Sequence, residues 1–108
     1  MSYNKVTAIV RRDVLEKVEI RLREIGVQGI SVTKVKGYGE YADFYSPDWM
    51  VPHARIEIFT TAKRAEDVAG AIMDAAHLGM AGDGIVAILP VEKLYRIRTR
   101  SPAEADEL

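Results

Sequence analysis

KVTAIVRRDVLEKVEIRLREIGVQGISVTKVK, residues 5–36, contains one complete strand–helix–strand unit. Lys5 to Arg11 alternates, with Val6, Ala8 and Val10 on one face, as a half-buried strand does. Asp13 stands where a helix cap belongs, and Glu16, three residues on, completes a capping box. Val14, Val18, Leu22 and Ile25 then recur at helical spacing. Gly26 stops the helix because it tolerates the left-handed conformation. Gly29 to Lys36, rich in Ile30, Val32, Thr33 and Val35, predicts the second strand.

The pattern repeats downstream. Arg55 to Thr60 predicts a third strand, with Ile56 and Ile58 on one face. Thr61 can cap a second helix whose apolar stripe is Ala65, Val68, Ala69, Ile72 and Ala76. Gly79 to Gly84 is a glycine-rich turn, and Ile85 to Leu89 a fourth strand ended by Pro90. Arg96 to Arg98 reads as extended, and the acidic tail from Ser101 to Leu108 as loosely held. Two such units in one small chain predict an α+β fold of βαββαβ order. It has a four-stranded antiparallel sheet with both helices on one face, the ferredoxin-like arrangement. The fourth strand is apolar on both sides: Ile85, Ala87 and Leu89 on one, Val86 and Ile88 on the other. Either the bare side of the sheet packs on another subunit, or this strand is central and crowded.

Between the two units, Gly37 to Pro52 holds two glycines, two prolines and no sustained period. It also carries Tyr38, Tyr41, Phe44, Tyr45 and Trp49, most of the aromatic residues. It reads as a long functional loop. Its rings can mark a partner surface, fold over a ligand, or form a small internal core.

Totals narrow the function. At 108 residues the chain is one domain, with a core small enough that oligomerisation often completes it. A net charge of −1 gives no field that would hold a nucleic acid backbone. The absence of cysteine removes disulfides and thiolate metal sites and fits a reducing compartment. Met1 to Arg12 is too polar for a signal peptide, and no apolar run reaches membrane-spanning length. A cytoplasmic domain without membrane insertion is the expectation.

Catalytic constellations are thin. His53 and His77 are far apart, Ser31, Ser46 and Ser101 lack a nucleophile-elbow context, and no Walker A or GxGxxG sequence occurs. His77 closes a helix, where positive charge suits the dipole. No enzyme activity and no metal are expected. Anion binding has more behind it. Gly82-Asp83-Gly84 can aim backbone amides at one point, or form a plain tight turn. Gly37-Tyr38-Gly39 admits the same two readings. Arg96 and Arg98, two residues apart on an extended segment, share a side and can grip phosphate oxygens in pairs, with Arg100 nearby; a solvated charged edge is the alternative.

Most of the chain resembles the PII signal-transduction family. The resemblance rests on Lys5-Val6-Thr7-Ala8-Ile9-Val10-Arg11, Val32-Thr33-Lys34-Val35-Lys36-Gly37-Tyr38-Gly39, Gly82-Asp83-Gly84, Leu89-Pro90-Val91-Glu92 and Arg96-Ile97-Arg98-Thr99. It implies one domain over residues 1–108, assembled as a homotrimer with nucleotide clefts between subunits. Residues 37–53 correspond to the T-loop that engages transporters or metabolic enzymes, 78–84 to the B-loop, and 96–108 to the C-terminal segment. The resemblance places Gly37, Tyr38 and Gly39 at the cleft. Gly82, Asp83 and Gly84 would cradle phosphates through their amides, and Arg96 and Arg98 would hold phosphate oxygens. Ile9, Ser31, Glu57 and Phe59 would surround adenine and ribose. Glu40, Tyr41, Phe44, Tyr45, Trp49 and His53 would belong to the effector or partner loop.

The departures from that family carry their own expectation. Ile85 stands where a lysine usually follows the Gly-Asp-Gly turn, and Leu78 where a hydroxyl residue is common. Tyr41 aligns with the glutamine that helps bind magnesium and 2-oxoglutarate, and His53 with the lysine that contacts the oxoacid. The loop is shorter, and the usual modified tyrosine has no secure counterpart, Tyr45 being nearby. Losing a cation near the terminal phosphates weakens ATP more than ADP or AMP, since each charge-assisted contact contributes about 1.5–3 kcal/mol. The resemblance therefore implies a divergent sensor of ADP or AMP, with ATP possible and bicarbonate a possible second ligand. The alternative is an interaction or scaffold protein whose aromatic loop binds its partner without nucleotide.

Overall fold

β1 (Tyr3–Arg11) buries Val6, Ala8 and Val10 and leaves the residues between them half-buried, as the period-two pattern requires. The computed structural model describes residues 2–42 and 50–108, with side chains described outside 37–42, 50, 51 and 107. After β1 come α1 (Leu15–Glu24), β2 (Ser31–Ala42), β3 (Met50–Thr61), α2 (Ala62–Ala76) and β4 (Gly84–Val91). A short hairpin of β5 (Tyr95–Arg96) and β6 (Ser101–Pro102) follows. The four long strands form one antiparallel sheet in the order β2-β3-β1-β4.

Both helices cover the face that carries Val6, Ala8, Val10, Ala54, Ile56 and Ile58. From α1 come Val18 and Leu22, and from α2 Ala65, Val68, Ala69, Ile72 and Ala76. Each fully buried Val, Leu or Ile side chain contributes about 1.5–3 kcal/mol. The alanines of α2 let its backbone lie close to the sheet. Arg64 in α2 donates to the Ile25 carbonyl at 2.6 Å, tying the helices together where Gly26, at φ +89°, ends the first.

Several sequence expectations need correction. Asp13 does not cap α1: Arg12–Val14 is already a 3₁₀ turn, and α1 begins without a side-chain cap bond. The chain turns helical immediately after Arg11, so Asp13 lies inside the helical path. Thr61 does hold the N-cap position of α2, but its side chain makes no cap bond. Much of the expected loop 37–52 is strand, because β2 runs on to Ala42 and β3 starts at Met50. The register between them slips between Gly37 and Ala42. Pro52 is tolerated there because β1 ends opposite His53, leaving β3 with a neighbour on one side only. Phe44, Tyr45 and Trp49 lie outside the described residues.

β4 is an edge strand rather than a central one. Its apolar outer face, with Ile85 55% and Leu89 40% exposed, therefore has no crowding to explain it. The acidic tail is held rather than loose. Tyr3 Oη donates to the Ala103 carbonyl at 2.7 Å, and Gln28 Nε2 to the Asp106 carbonyl at 3.2 Å.

Candidate functional site

α2 delivers the chain to a glycine turn that returns to β4. Gly79, Gly82 and Gly84 all have positive φ, which side chains rarely adopt. The turn is ordered around one carboxylate. Asp83 Oδ2 accepts from the amides of Leu78 at 3.0 Å, Gly79 at 2.9 Å and Met80 at 3.4 Å. His77 Nδ1 lies 3.7 Å from the same oxygen, and Arg11 Nε 3.5 Å from Oδ1. The Leu78 amide, more than any other group, holds the Asp83 carboxyl below the usual aspartate range; partial burial opposes it, and the Gly79 and Met80 amides and Arg11 add to it.

The amides that converge in the ligand-free chain are those of residues 78–80, and the anion they hold is the chain's own. The Asp83 amide is itself bonded to the Met80 carbonyl at 3.2 Å. Gly84 is required for a different reason. A Cβ there would stand 1.7 Å from the Ile9 carbonyl oxygen of β1.

His53, expected at the end of the effector or partner loop, is a strand residue. It lies within β3, 1% exposed, with Nε2 3.1 Å from the Gly82 carbonyl. Opposite it, Arg11 Nη2 donates to the Ala81 carbonyl. Sequence reading missed Arg11 because its partners lie some seventy residues away, and no local pattern marks such a pair.

Ser31, Glu57 and Phe59 come together on a cavity of about 290 Å³ between the 27–31 segment and the end of β3, with Thr60, Arg64 and Leu108 completing its wall. Glu57 is held by Lys5 Nζ at 3.3 Å and Arg55 Nε at 3.2 Å. Leu108 was not expected in this wall, and only the tail's folding back reveals it. Ile9 lies instead on a second cavity of about 220 Å³ beside β4 and the end of α2, with Asp83 and Gly84. Arg96 is half-buried in β5, whereas Arg98 is exposed in the reversal 97–100. The two arginines thus do not share one extended segment. Gly37, Tyr38, Gly39, Glu40 and Tyr41 form the distal part of β2.

Residues 3–101 match the family model described as "Nitrogen regulatory protein P-II". The chain belongs to the P-II family. It is 36% identical over 102 residues to a nitrogen regulatory protein P-II of Azospirillum brasilense, an alignment covering 88% of this chain and 91% of the relative. It is 39% identical to the nitrogen regulatory protein GlnK2 of Haloferax mediterranei, over 87% of this chain and 82% of that one. A crystal structure of Arabidopsis thaliana PII bound to citrate superposes with a TM-score of 0.83 at 34% identity, covering 95% of this chain and 90% of that one.

As a P-II protein the chain is a signal-transduction regulator rather than a member of an enzyme family. The P-II match stops before the tail residues 102–108, which contribute Leu108 to the larger cavity. Among the described residues, no helix is long and apolar enough to cross a membrane, and no three His, Asp or Glu side chains converge as metal ligands would.

Proposed function

We propose that this P-II protein acts as a homotrimer that binds an adenine nucleotide between subunits and signals through the segment joining β2 and β3. The observation that carries this reading is a separation. The glycine turn enters β4 at Gly84, and the Arg96–Arg98 hairpin follows the strand's other end at Val91. Eight residues of strand span roughly 23 Å, far more than a triphosphate. Within one protomer, no phosphate chain is held by both. A second copy, bringing its own edge to β4, would put the two groups into one cleft. The exposed Ile85, Leu89 and Phe59 on the uncovered sheet face support such an assembly. Ser31, Glu57 and Phe59 would then receive the adenosine, with Ile9 contributed from the β4 side.

Ile85 follows the turn in place of a cation, which favours ADP or AMP over ATP. Citrate bound to the Arabidopsis relative supports a further site for a small anion, bicarbonate among them. The target would be a membrane transporter or a metabolic enzyme in the cytoplasm. Titration calorimetry with AMP, ADP and ATP, paired with sedimentation to read the assembly, tests the proposal. The expected result is a trimer that binds the di- or monophosphate more tightly than the triphosphate. A monomer, or no heat from any of the three at millimolar concentration, removes it.

One observation favours a second reading. The amides of residues 78–80 are already occupied by Asp83, which suits a protein that binds its partner through the aromatic loop without nucleotide. Deleting residues 41–49 would then abolish partner capture while added nucleotide has no effect on it.

A further inference from the structure

Arg11 and His53 form the last rung of the β1–β3 pairing. Both side chains leave that rung toward the same turn. Arg11 takes the Ala81 carbonyl and faces the Asp83 carboxylate, while His53 takes the Gly82 carbonyl between them. Three consecutive residues of the turn are thus gripped from one rung of the sheet. A carbonyl only accepts, so His53 carries a proton on Nε2 in this bond. Both His53 and Gly82 are buried. If the bond breaks, the carbonyl is left without water unless the turn opens, and an orphaned buried acceptor costs more than the bond contributes.

On its other side, His53 belongs to the start of β3. It pairs with Val35 of β2, three residues after Met50. The same imidazole therefore bears on the glycine turn and on the root of the segment joining β2 to β3. We infer that His53 is a positioning residue that joins these two regions, so that opening the 78–84 turn also releases residues 50–53. The joint is a property of the ligand-free chain and does not rest on the nucleotide reading above.

Hydrogen exchange followed by mass spectrometry on the ligand-free full chain tests the joint. The set is the wild type, His53→Leu, His53→Gln, Asp83→Asn and the His53→Leu/Asp83→Asn double variant. Loss of one buried hydrogen bond should speed exchange about tenfold in peptides covering 78–84 and 50–53, with α2 and β1 still protected. His53→Gln, whose side-chain amide can also donate, should stay within about threefold of the wild type. Asp83→Asn loosens the turn directly. With His53 present it should also speed exchange at 50–53, and in the His53→Leu background it should add nothing there. Unchanged exchange at 50–53 in Asp83→Asn, or additive effects in the double variant, would overturn the inference. Should His53→Leu fail to fold, the Asp83→Asn and His53→Gln comparison decides alone. A null calorimetric result with nucleotides would remove the nucleotide reading and leave this outcome standing.

Discussion

The glycine turn 77–84 and the C-terminal hairpin 95–102 both carry groups suited to phosphate, and they are built in opposite ways. The turn is organised around its own anion, with three amides, Arg11 and His77 directed at Asp83. The hairpin is shaped by local bonds and anchored at one end: Arg100 N bonds to the Arg96 carbonyl at 2.9 Å, Ala103 N bonds to the Leu94 carbonyl at 3.0 Å, the Thr99 and Ser101 hydroxyls meet at 2.7 Å, and Tyr3 Oη of β1 donates to the Ala103 carbonyl. Arg100 adopts φ +56°, and Ile97 is 92% exposed. Shape in the turn is set before any ligand arrives. At the exposed reversal of the hairpin, the side chains still have most of their rotamer freedom to lose on binding. Substitutions in the turn should therefore register as stability, and substitutions in the hairpin as affinity.

Gly84→Ala should break the contrast most severely. A methyl group there meets the Ile9 carbonyl at 1.7 Å on a backbone at φ +106°, so a loss of about 3 kcal/mol or more is expected in urea unfolding, or no folded protein at all. Next in size is Arg98→Ala. It should leave unfolding within about 0.5 kcal/mol of the wild type while weakening nucleotide binding about ten- to a hundredfold by calorimetry, the loss of one charge-assisted contact. Arg98→Ala protein that unfolds early would place this side chain with the turn rather than against it.

Asp83→Asn sharpens the comparison through pH. The folded carboxyl titrates below the ordinary aspartate value of about 3.9. Its stabilisation is therefore fully present above that value and is lost as pH falls through the lower folded one. The stability gap between wild type and Asp83→Asn should be constant near neutrality and close in acid, as read by thermal unfolding from pH 7 down to about 2.5. A gap that is the same in acid as at neutrality would mean the carboxylate charge is not what the amides hold. Smallest of all, Ile97→Ser in the hairpin should shift stability by less than about 0.5 kcal/mol.

The contrast also explains what could be read in advance. Val14, Val18, Leu22 and the α2 alanines announce their helices because one buried stripe at 3.6-residue spacing is written locally. Gly26 and Thr61 fall where expected for the same reason. What could not be read depends on partners distant in sequence. The extension of β2 and β3 into a stretch rich in glycine and proline comes from pairing across the hairpin, against the preferences of its residues. The places of His53 and Arg11 depend on a turn that arrives about thirty and seventy residues later. Glycine spacing made the turn itself visible, but not that Asp83 fills it. The resemblance grouped Ile9, Ser31, Glu57 and Phe59; the last three line one cavity and Ile9 another, and Leu108 joins the three only because the tail folds back.

The missing methyl at Gly84 bears on more than the turn. β4 lies at the rim of the sheet, where a strand can slide most easily because only one neighbour restrains it. A slip of one position would carry Asp83 or Ile85 into the place that Gly84 now fills, where a Cβ on that backbone stands too close to the Ile9 carbonyl. The absence of a side chain thus works as an alignment key. Of the ways β4 could dock, it admits the one that leaves Val86 and Ile88 facing the helices and Ile85 and Leu89 facing outward.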